Sequence, residues 1–206
     1  MTFETQFEDI NRYLESIAII DYATSPEIME LSREIAADSY DEIFFVKNAF
    51  EYVRDKISHS ADIGGSVVTC VASEVLRERH GVCYAKSHLL AAILRGGQIP
   101  AGFCYQRLIL DDELQPVFVL HALNAVFLRG KWIRLDARGN KPGVCAQFSL
   151  EEERLAFPVR PELGEMDFPE IFAVPDKNVM SSLSLNKNFE SLWRNLPTEL
   201  HGGLYK

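Results

Sequence analysis

The hydrophobic pattern of this 206-residue chain changes once, near Pro100, and that change restricts the fold class. Before it, apolar residues recur at helical spacing, and those from Asp41 to Ile57 form one stripe of an amphipathic helix. After it, the stretches from Ala101 to Leu110 and from Val117 to Leu128 alternate as strands do and are predicted to be joined by a polar turn at Asp111-Asp112-Glu113. Helices grouped ahead of strands, rather than alternating with them, predict an α+β fold.

The chain divides into a helical front, a strand-rich middle and a proline-rich tail, with no repeat. Ser25-Pro26 predicts the start of a helix that runs to about Ala37. Ser149 is followed by Glu152 at capping-box spacing, which predicts a short helix in the tail. We expect a single domain over 1–206, with a helical N-terminal part at 1–40, a core at about 41–140 and a wrapping tail with short helices at 141–206.

Composition excludes two classes of partner. The chain has 21 Lys and Arg against 30 Asp and Glu, a net charge of −9, and no basic block, so a nucleic-acid partner is not expected. The longest apolar run in a helical pattern, Leu89 to Leu94, is far shorter than the roughly 20 residues of a membrane span. The first residues are acidic where a signal peptide is basic, which favours a cytoplasmic protein.

The four cysteines are too widely spaced for a metal site. Cys70, Cys83, Cys104 and Cys145 form no C-x-x-C pair, and a disulfide framework is not expected without a secretory signal. Three of them are predicted to be reduced and structural, with Cys70 inside a helix, Cys104 in a strand and Cys145 in a loop. No phosphate loop or metal cluster is present in the sequence, so we predict neither cofactor nor metal.

Cys83 differs from the other cysteines by its position. A short helix, capped by Thr69 or Ser73, is expected to run to about Arg79. After the break at His80-Gly81-Val82, a helix rich in alanine and leucine runs from Cys83 to Arg95 and is stopped by Gly96-Gly97 in a left-handed conformation. The unpaired N–H groups at the start of this helix favour a thiolate and can receive an oxyanion.

A tight turn brings a histidine and an aspartate together. A two-residue loop at Arg129-Gly130 places Asp136 opposite Leu123 on the neighbouring strand. His121 lies two residues from Leu123 on the same face, so His121 and Asp136 become diagonal neighbours, about 7 to 8 Å apart at the backbone. A three-residue loop would move Asp136 to the other face.

Taken singly, these residues have ordinary explanations. A lone His121 is most simply a satisfied histidine on a half-buried strand, and a lone Asp136 is a turn residue at a strand end. Together, a thiol at a helix start, a strand histidine and an aspartate beside it form the arrangement of nucleophile, base and orienting acid. The combination therefore favours catalysis.

Several segments of the sequence resemble one family, the transglutaminase-like proteins. The resemblance covers about Asp41 to Asn140, just under half the chain. It rests on four features: a lead-in helix, a nucleophile helix with the segment after it, His121, and an aspartate strand. The lead-in helix reads Phe50-Glu51-Tyr52-Val53-Arg54-Asp55-Lys56-Ile57, and the aspartate strand reads Gly130-Lys131-Trp132-Ile133-Arg134-Leu135-Asp136. The nucleophile helix is recognised by Gly81-Val82-Cys83 and Leu89-Leu90-Ala91-Ala92-Ile93-Leu94-Arg95, and the segment after it by Ile99-Pro100-Ala101.

The resemblance implies a papain-like α+β fold whose nucleophile helix packs on an antiparallel sheet. It implies that Cys83 is the nucleophile, His121 the base and Asp136 the orienting acid. The family often adds an oxyanion donor from a side chain upstream of the nucleophile, and His59, Ser60 and Thr69 are candidates by position and polarity. Each of the three is also an ordinary loop or cap residue by type.

The remaining histidines, His80, His88 and His201, are predicted to be structural or exposed. In the tail, the apolar segment from Phe168 to Phe172 either packs as core or lies over a substrate groove, and we favour core.

The resulting hypothesis is acyl chemistry on a peptide or protein through a Cys83 thioester, with hydrolysis favoured over transfer to an amine. The main alternative is a peptide- or protein-binding module that retains the fold without catalysis. An arylamine-acetyltransferase-type carrier uses the same residue types but fits the context of Cys83 less well. A peptide N-glycanase is discounted because its zinc-binding cysteine pairs are missing from the sequence.

Overall fold

The computed structural model describes residues 2–110 and 117–201. Helices and strands are grouped much as the sequence predicts, with helices ahead of the main sheet and short elements after it. In chain order the elements are β1 (Glu4–Thr5), α1 (Pro26–Ala37), α2 (Glu42–Lys56), β2 (Ser58–His59), α3 (Ala72–Glu78), β3 (His80–Gly81), α4 (Cys83–Gly96), β4 (Ala101–Ile109), β5 (Phe118–Leu128), β6 (Lys131–Leu135), β7 (Met166–Asp167), β8 (Glu170–Ile171), α5 (Lys177–Leu185) and α6 (Phe189–Arg194).

The main sheet is antiparallel, with strand order β6-β5-β4-β7. Helix α4 packs against β5 and β4, and its residues from Tyr84 to Arg95 are all buried. The α+β prediction is confirmed. Strands β4 and β5 are buried on both faces rather than one, because α4 covers one face, and the N-terminal segment and the tail together cover the other.

The first two helices begin where the sequence predicts. The Ser25 hydroxyl accepts from the Ile28 backbone N–H at 3.4 Å, and Pro26 takes the first helical position of α1. The Asp41 carboxylate accepts from the Phe44 N–H at 3.0 Å and so caps α2. In both cases a side-chain oxygen satisfies a backbone donor that the helix leaves unpaired.

The predicted start of α3 is wrong. Neither Thr69 nor Ser73 caps it; instead the Glu74 carboxylate reaches back to the N–H groups of Cys70 and Val71, at 3.1 and 3.2 Å. Cys70 therefore lies ahead of α3 rather than inside a helix. Thr69 instead donates its hydroxyl to the His80 carbonyl at 3.0 Å, which joins this segment to β3.

The predicted stop of α4 is also corrected. Neither Gly96 nor Gly97 is left-handed, and the positive φ, 63°, belongs to Gln98. Gly97 is needed for a different reason, since a Cβ there would lie 2.2 Å from Cζ of the Phe45 ring on α2. Glycine at this position permits the close packing of α2 on α4.

The tail completes the core. Phe168 and Ile171 are buried, and Phe172 exchanges backbone hydrogen bonds with Phe103 of β4, which confirms the core interpretation of this segment. The helix predicted at Ser149 is absent, because the Ser149 hydroxyl caps only a turn through the N–H groups of Glu151 and Glu152. The turn predicted at Asp111-Asp112-Glu113 lies outside the described residues.

Within 2–110 and 117–201, no helix is long and apolar enough to cross a bilayer. Among the same residues, no cluster of histidine, cysteine and acidic side chains has the composition of a metal site.

Candidate active site

Cys83 is the first residue of α4, and its side chain is half-buried against the main core. The preceding residue, Val82, is extended, so the chain turns into the helix immediately before the thiol. At the first turn of an α-helix, backbone N–H groups have no partner inside the helix and carry the positive end of the helix dipole. Cys83 therefore has the surroundings that stabilise a thiolate.

His121 faces Cys83 from β5. Its side chain is buried, its Nε2 lies 2.8 Å from Asp136 Oδ2, and it lines the same cleft as Cys83, whose sulfur interacts with it electrostatically. Because Asp136 occupies Nε2, the imidazole has Nδ1 left for the sulfur. Phe157 packs edge-on against the imidazole, with ring centroids 5.2 Å apart.

The hairpin register explains the contact between His121 and Asp136, as the sequence predicts. Arg129 and Gly130 form a two-residue turn in which both have positive φ, 51° and 78°, and Leu128 pairs with Lys131. The pairing continues to Asn124 opposite Leu135, so Asp136 follows at the level of Leu123, beside His121.

Asp136 is fixed by two further hydrogen bonds. The backbone N–H of Arg138 donates to Oδ1 at 3.1 Å, and that of Ala156 donates to Oδ2 at 3.0 Å. Burial raises the pKa of Asp136, but His121 and these two donors outweigh burial and hold the pKa below its usual value. The carboxylate therefore carries a charge at neutral pH although its side chain is only 1% exposed.

Asp136 and Cys83 together determine the protonation of the His121 imidazole. Burial on its own lowers the pKa of His121, but the Asp136 carboxylate and the Cys83 sulfur outweigh it and raise the pKa above its usual value. The arrangement thus favours an imidazolium that interacts with the Asp136 carboxylate and the Cys83 sulfur.

A cleft of about 370 Å³ opens onto Cys83 and His121. One part of its lining is apolar and includes Leu108, Val119 and Trp193. Another part is polar and comes from the segments that follow β2 and β6.

Of the three candidate oxyanion donors, the structure brings only His59 into the cleft. Ser60 hydrogen-bonds His80 Nδ1 at 3.0 Å, and Thr69 donates to a backbone carbonyl as described above. His59 is 8% exposed and lines the cleft with Cys83 and His121. Burial, followed by the nearby Arg138 guanidinium, lowers the pKa of His59 to about 3, so the ring is neutral at pH 7.

The sequence patterns do not predict a cluster of charged side chains that lies at the cleft. Asp62 accepts from both terminal nitrogens of Arg138, with Nη2 at 2.9 Å, and from the Lys141 ammonium at 2.7 Å. The partners lie 76 and 79 positions apart. No local sequence pattern links these three residues. The feature of the sequence that points to the cleft is the position of Arg138, two residues after Asp136.

Lys86 is a second buried cation that the sequence analysis missed. It lies one turn along α4 from Cys83, and its ammonium donates to the carbonyls of Arg54 and Ile57 at the end of α2. Burial, followed by Arg138, lowers the pKa of Lys86 to about 7. The contact joins the nucleophile helix to the lead-in helix.

The other cysteines and histidines lie away from this constellation. Burial raises the pKa of the Cys70 thiol to about 11 and that of Cys104 to about 12, which fits structural thiols. Cys145 is exposed in a loop. His88 is buried and bonds the Cys70 carbonyl at 2.7 Å, and His201 is exposed.

The architecture and the thiol–imidazole–carboxylate arrangement are those of a papain-like α+β protein. Residues 29–137, just over half of the 206, match the model of the transglutaminase-like superfamily. The chain therefore belongs to that superfamily, and its fold is the transglutaminase-core fold that the sequence resemblance implies.

One solved structure agrees with this fold, and two others show weaker similarity. A candidate cysteine protease from Cytophaga hutchinsonii superposes with a TM-score of 0.53 and 21% identity, over 64% of this chain and 43% of that one. A candidate protease from Parabacteroides distasonis gives a TM-score of 0.41 with 17% identity, over 62% of this chain and 26% of the other. A TGase gives 0.42 with 19% identity, over 66% of this chain and 35% of the other.

This chain thus spans less than half the length of each of these three proteins. A search of curated proteins found no match.

Proposed function

We propose that this protein is a cysteine-dependent acyl enzyme that cleaves an amide bond in a peptide or protein, with Cys83 as nucleophile, His121 as acid and base, and Asp136 as the orienting carboxylate. The observation that carries the proposal is that Cys83 and His121 line one cleft, with the sulfur raising the pKa of the imidazole, while Asp136 holds the same imidazole through a 2.8 Å hydrogen bond. Membership in the superfamily and the fold shared with the Cytophaga hutchinsonii protein support it.

In the first half-reaction, the Cys83 thiolate attacks the carbonyl carbon and forms a C–S bond, while the carbonyl π electrons move to oxygen. His121 then gives its proton to the nitrogen of the leaving amine as the C–N bond breaks. The products of this step are a thioester on Cys83 and a free amine. Asp136 stays ionised and keeps the imidazole oriented throughout.

In the second half-reaction, neutral His121 takes a proton from water, and the oxygen of that water attacks the thioester carbon. The C–S bond breaks, which returns the thiolate and releases a carboxylic acid. Hydrolysis is the reaction we favour, and an amine in place of water would give transfer of the acyl group.

His59 fits the role of oxyanion donor beside the backbone N–H groups at the start of α4. Its Nδ1 accepts the Ala61 N–H at 3.3 Å, so the neutral ring carries its proton on Nε2. Within the described part of the chain, Nε2 has no hydrogen-bond partner. A preformed neutral donor of this kind stabilises the negative oxygen of the tetrahedral intermediate.

The test of the nucleophile is the pH dependence of iodoacetamide labelling, read residue by residue by mass spectrometry. Cys83 is expected to label faster than Cys145 at pH 6 to 7, where an ordinary thiol with a pKa of about 8.5 is mostly protonated. The advantage should disappear in His121→Ala. If Cys83 labels no faster than Cys145 in the native protein, the chemistry is wrong and a binding module becomes the better hypothesis.

The test of His59 uses two reactions of the same thiol. Acylation of Cys83 by p-nitrophenyl acetate passes through an oxyanion, whereas alkylation by iodoacetamide does not. His59→Asn, which reaches only the position of Nδ1, should slow acylation on the order of 100-fold and leave alkylation within about twofold. His59→Gln reaches the position of Nε2 and should restore part of the acylation rate.

The background reaction is measured in Cys83→Ala. Equal slowing of acylation and alkylation in His59→Asn would mean that His59 only supports the structure of the cleft, and no slowing of acylation would remove it from the mechanism.

A further inference from the structure

The cleft beside Cys83 has an unequal distribution of charge. Among the described residues that line it, apart from the histidines, the charged side chains are Asp62, Arg138 and Lys141, two cations and one carboxylate. The chain as a whole carries a net charge of −9. A locally positive cleft in an acidic protein attracts negatively charged ligands.

Within the cluster, Arg138 and Lys141 differ in their freedom to bind a ligand. The Arg138 guanidinium is almost fully buried and uses both terminal nitrogens on the Asp62 carboxylate, which neutralises it. The Lys141 side chain is 44% exposed and gives one ammonium proton to Asp62 Oδ1. Its other two protons have no acceptor among the residues of 2–110 and 117–201.

The position of this cluster is fixed relative to the proposed reaction centre. Arg138 donates its backbone N–H to Asp136, the carboxylate that orients His121, and its side chain reaches Asp62, three residues from His59. Its guanidinium carbon also lies 6.0 Å from the centre of the Phe157 ring, which packs on His121. The cluster therefore connects the two polar segments of the cleft lining, and Lys141 lines the same cleft as Cys83.

The same cluster acts on His59, which lines the cleft with Cys83. After burial, the Arg138 charge contributes most to the lowered pKa of His59, Asp62 opposes it, and Lys86 acts in the same direction as Arg138.

We infer that the cleft selects acyl substrates that carry a carboxylate near the scissile carbonyl, with Lys141 as the residue that binds this carboxylate. The apolar wall at Leu108, Val119 and Trp193 receives the hydrocarbon part of the same substrate. This inference rests on the proposed function, because it names the substrates of that site. The carboxylate belongs either to an acidic side chain on the acyl part or to the departing amine part, and the experiment separates the two.

The charge at the cleft is tested without any assumption about catalysis. Iodoacetate and iodoacetamide have nearly the same shape and differ in charge, so the ratio of their rates with Cys83 reports the local field. Relative to the ratio for the neutral thiol N-acetylcysteine amide, Cys83 should favour iodoacetate about threefold or more at low salt. Lys141→Gln should reduce this preference, and Lys141→Glu should reverse it.

The matched control is Lys131→Gln, since Lys131 is an exposed lysine on the β5–β6 turn whose ammonium donates to the Leu150 carbonyl, away from the cleft. It should leave the iodoacetate preference unchanged. An equal loss of the preference in Lys131→Gln and Lys141→Gln would contradict a specific role for Lys141.

Selection of substrate is tested with two pairs of thioesters. On the acyl side, acetyl-Asp-Leu and acetyl-Asn-Leu thiobenzyl esters differ only in charge; on the leaving side, acetyl-Leu thioesters of mercaptoacetic acid and mercaptoacetamide do the same. One pair should favour its carboxylate member about tenfold in kcat/KM, and Lys141→Gln should remove most of that preference while Lys131→Gln keeps it. The pair that responds identifies the side on which the carboxylate lies.

Failure of the carboxylate inference and failure of the proposed function give different results in these experiments. If Cys83 is acylated by neutral and anionic probes at equal rates, the inference is wrong and the proposed function stands. If none of the four thioesters acylates Cys83 although iodoacetate labels it, the proposed function fails, and substrate selection fails with it.

Discussion

His88 is a buried histidine whose protonation opposes folding. It is 1% exposed on α4, where Nδ1 bonds the Cys70 carbonyl and the ring packs edge-on against Phe103. Burial lowers its pKa to about 4, although the hydrogen bond to Cys70 opposes this change. Between pH 4 and the unfolded value of about 6.5, the unfolded chain binds a proton that the folded chain does not. Stability from neutral His88 is therefore present above pH 6.5 and is lost as the pH falls.

We predict that His88 lowers the free energy of unfolding by about 2 kcal/mol at pH 5 relative to pH 7. His88→Asn keeps a donor near the Cys70 carbonyl but cannot titrate, so its urea-unfolding free energy should fall less over this range than that of the native protein. His59, whose pKa is also lowered, contributes in the same direction in both proteins. Parallel pH profiles for the native protein and His88→Asn would contradict the prediction.

At the scale of elements, sequence patterns located the structures that depend on local hydrogen bonds. The cap at Ser25, the start of α2 near Asp41 and the turn at Arg129-Gly130 are confirmed, because each is determined by a few consecutive residues. The start of α3 was missed because Glu74 accepts from two residues ahead of the helix, so the polar residues nearby were free to bond elsewhere.

The candidate active site likewise contains contacts set by neighbouring residues, which the sequence predicted, and contacts between distant segments, which it did not. The hairpin register predicted the meeting of His121 and Asp136, which lie 15 residues apart. The bonds from Asp62 to Arg138 and from Ala156 to Asp136 join separate loops, and their placement depends on how the whole chain packs. No spacing rule applies to such contacts.

The packing of α2 on α4 gives a prediction at this scale. Gly97→Ala places a Cβ against the Phe45 ring and should destabilise the protein by about 1 to 3 kcal/mol. Phe45→Leu removes the obstructing ring, so the double variant should lose less stability than the sum of the two single changes. Chemical denaturation of the four proteins measures this coupling.

Gly64→Ala is the control for backbone strain, since Gly64 has a φ of 62° and no atom within 4 Å of an added Cβ. Its cost should add to that of Phe45→Leu. Additivity for Gly97→Ala as well would show that the Phe45 ring is not the obstacle.

At the scale of the molecule, the tail shares one core with the nucleophile helix. Val179, Leu183 and Leu192 belong to the same buried cluster as Leu89 of α4. Backbone bonds add to this, including the Leu120 N–H donating to the Pro197 carbonyl at 2.7 Å. These contacts support the expectation of a single domain over the described residues.

Two tryptophans test that expectation. Trp132 lies on β6 and Trp193 on α6, so Trp132→Phe and Trp193→Phe each leave one fluorescent reporter, in the tail and in the main sheet respectively. We predict coincident urea transitions from the two reporters and from far-ultraviolet circular dichroism, because a shared core unfolds cooperatively. An earlier transition at Trp193 would identify the tail as a separate unit.

Residues that follow the superfamily segment hold Asp136 and His121 in place, which limits the transfer of the proposed chemistry to another protein. Arg138 and Ala156 supply the two backbone donors to Asp136, and Phe157 lies against the imidazole, yet all three residues follow the segment 29–137 that matches the superfamily. A transplant of that segment alone into another scaffold would carry all three proposed reactive groups and leave behind part of what keeps the acid charged and the base in place. The smallest unit able to perform the proposed chemistry is therefore longer than the segment that matches the superfamily.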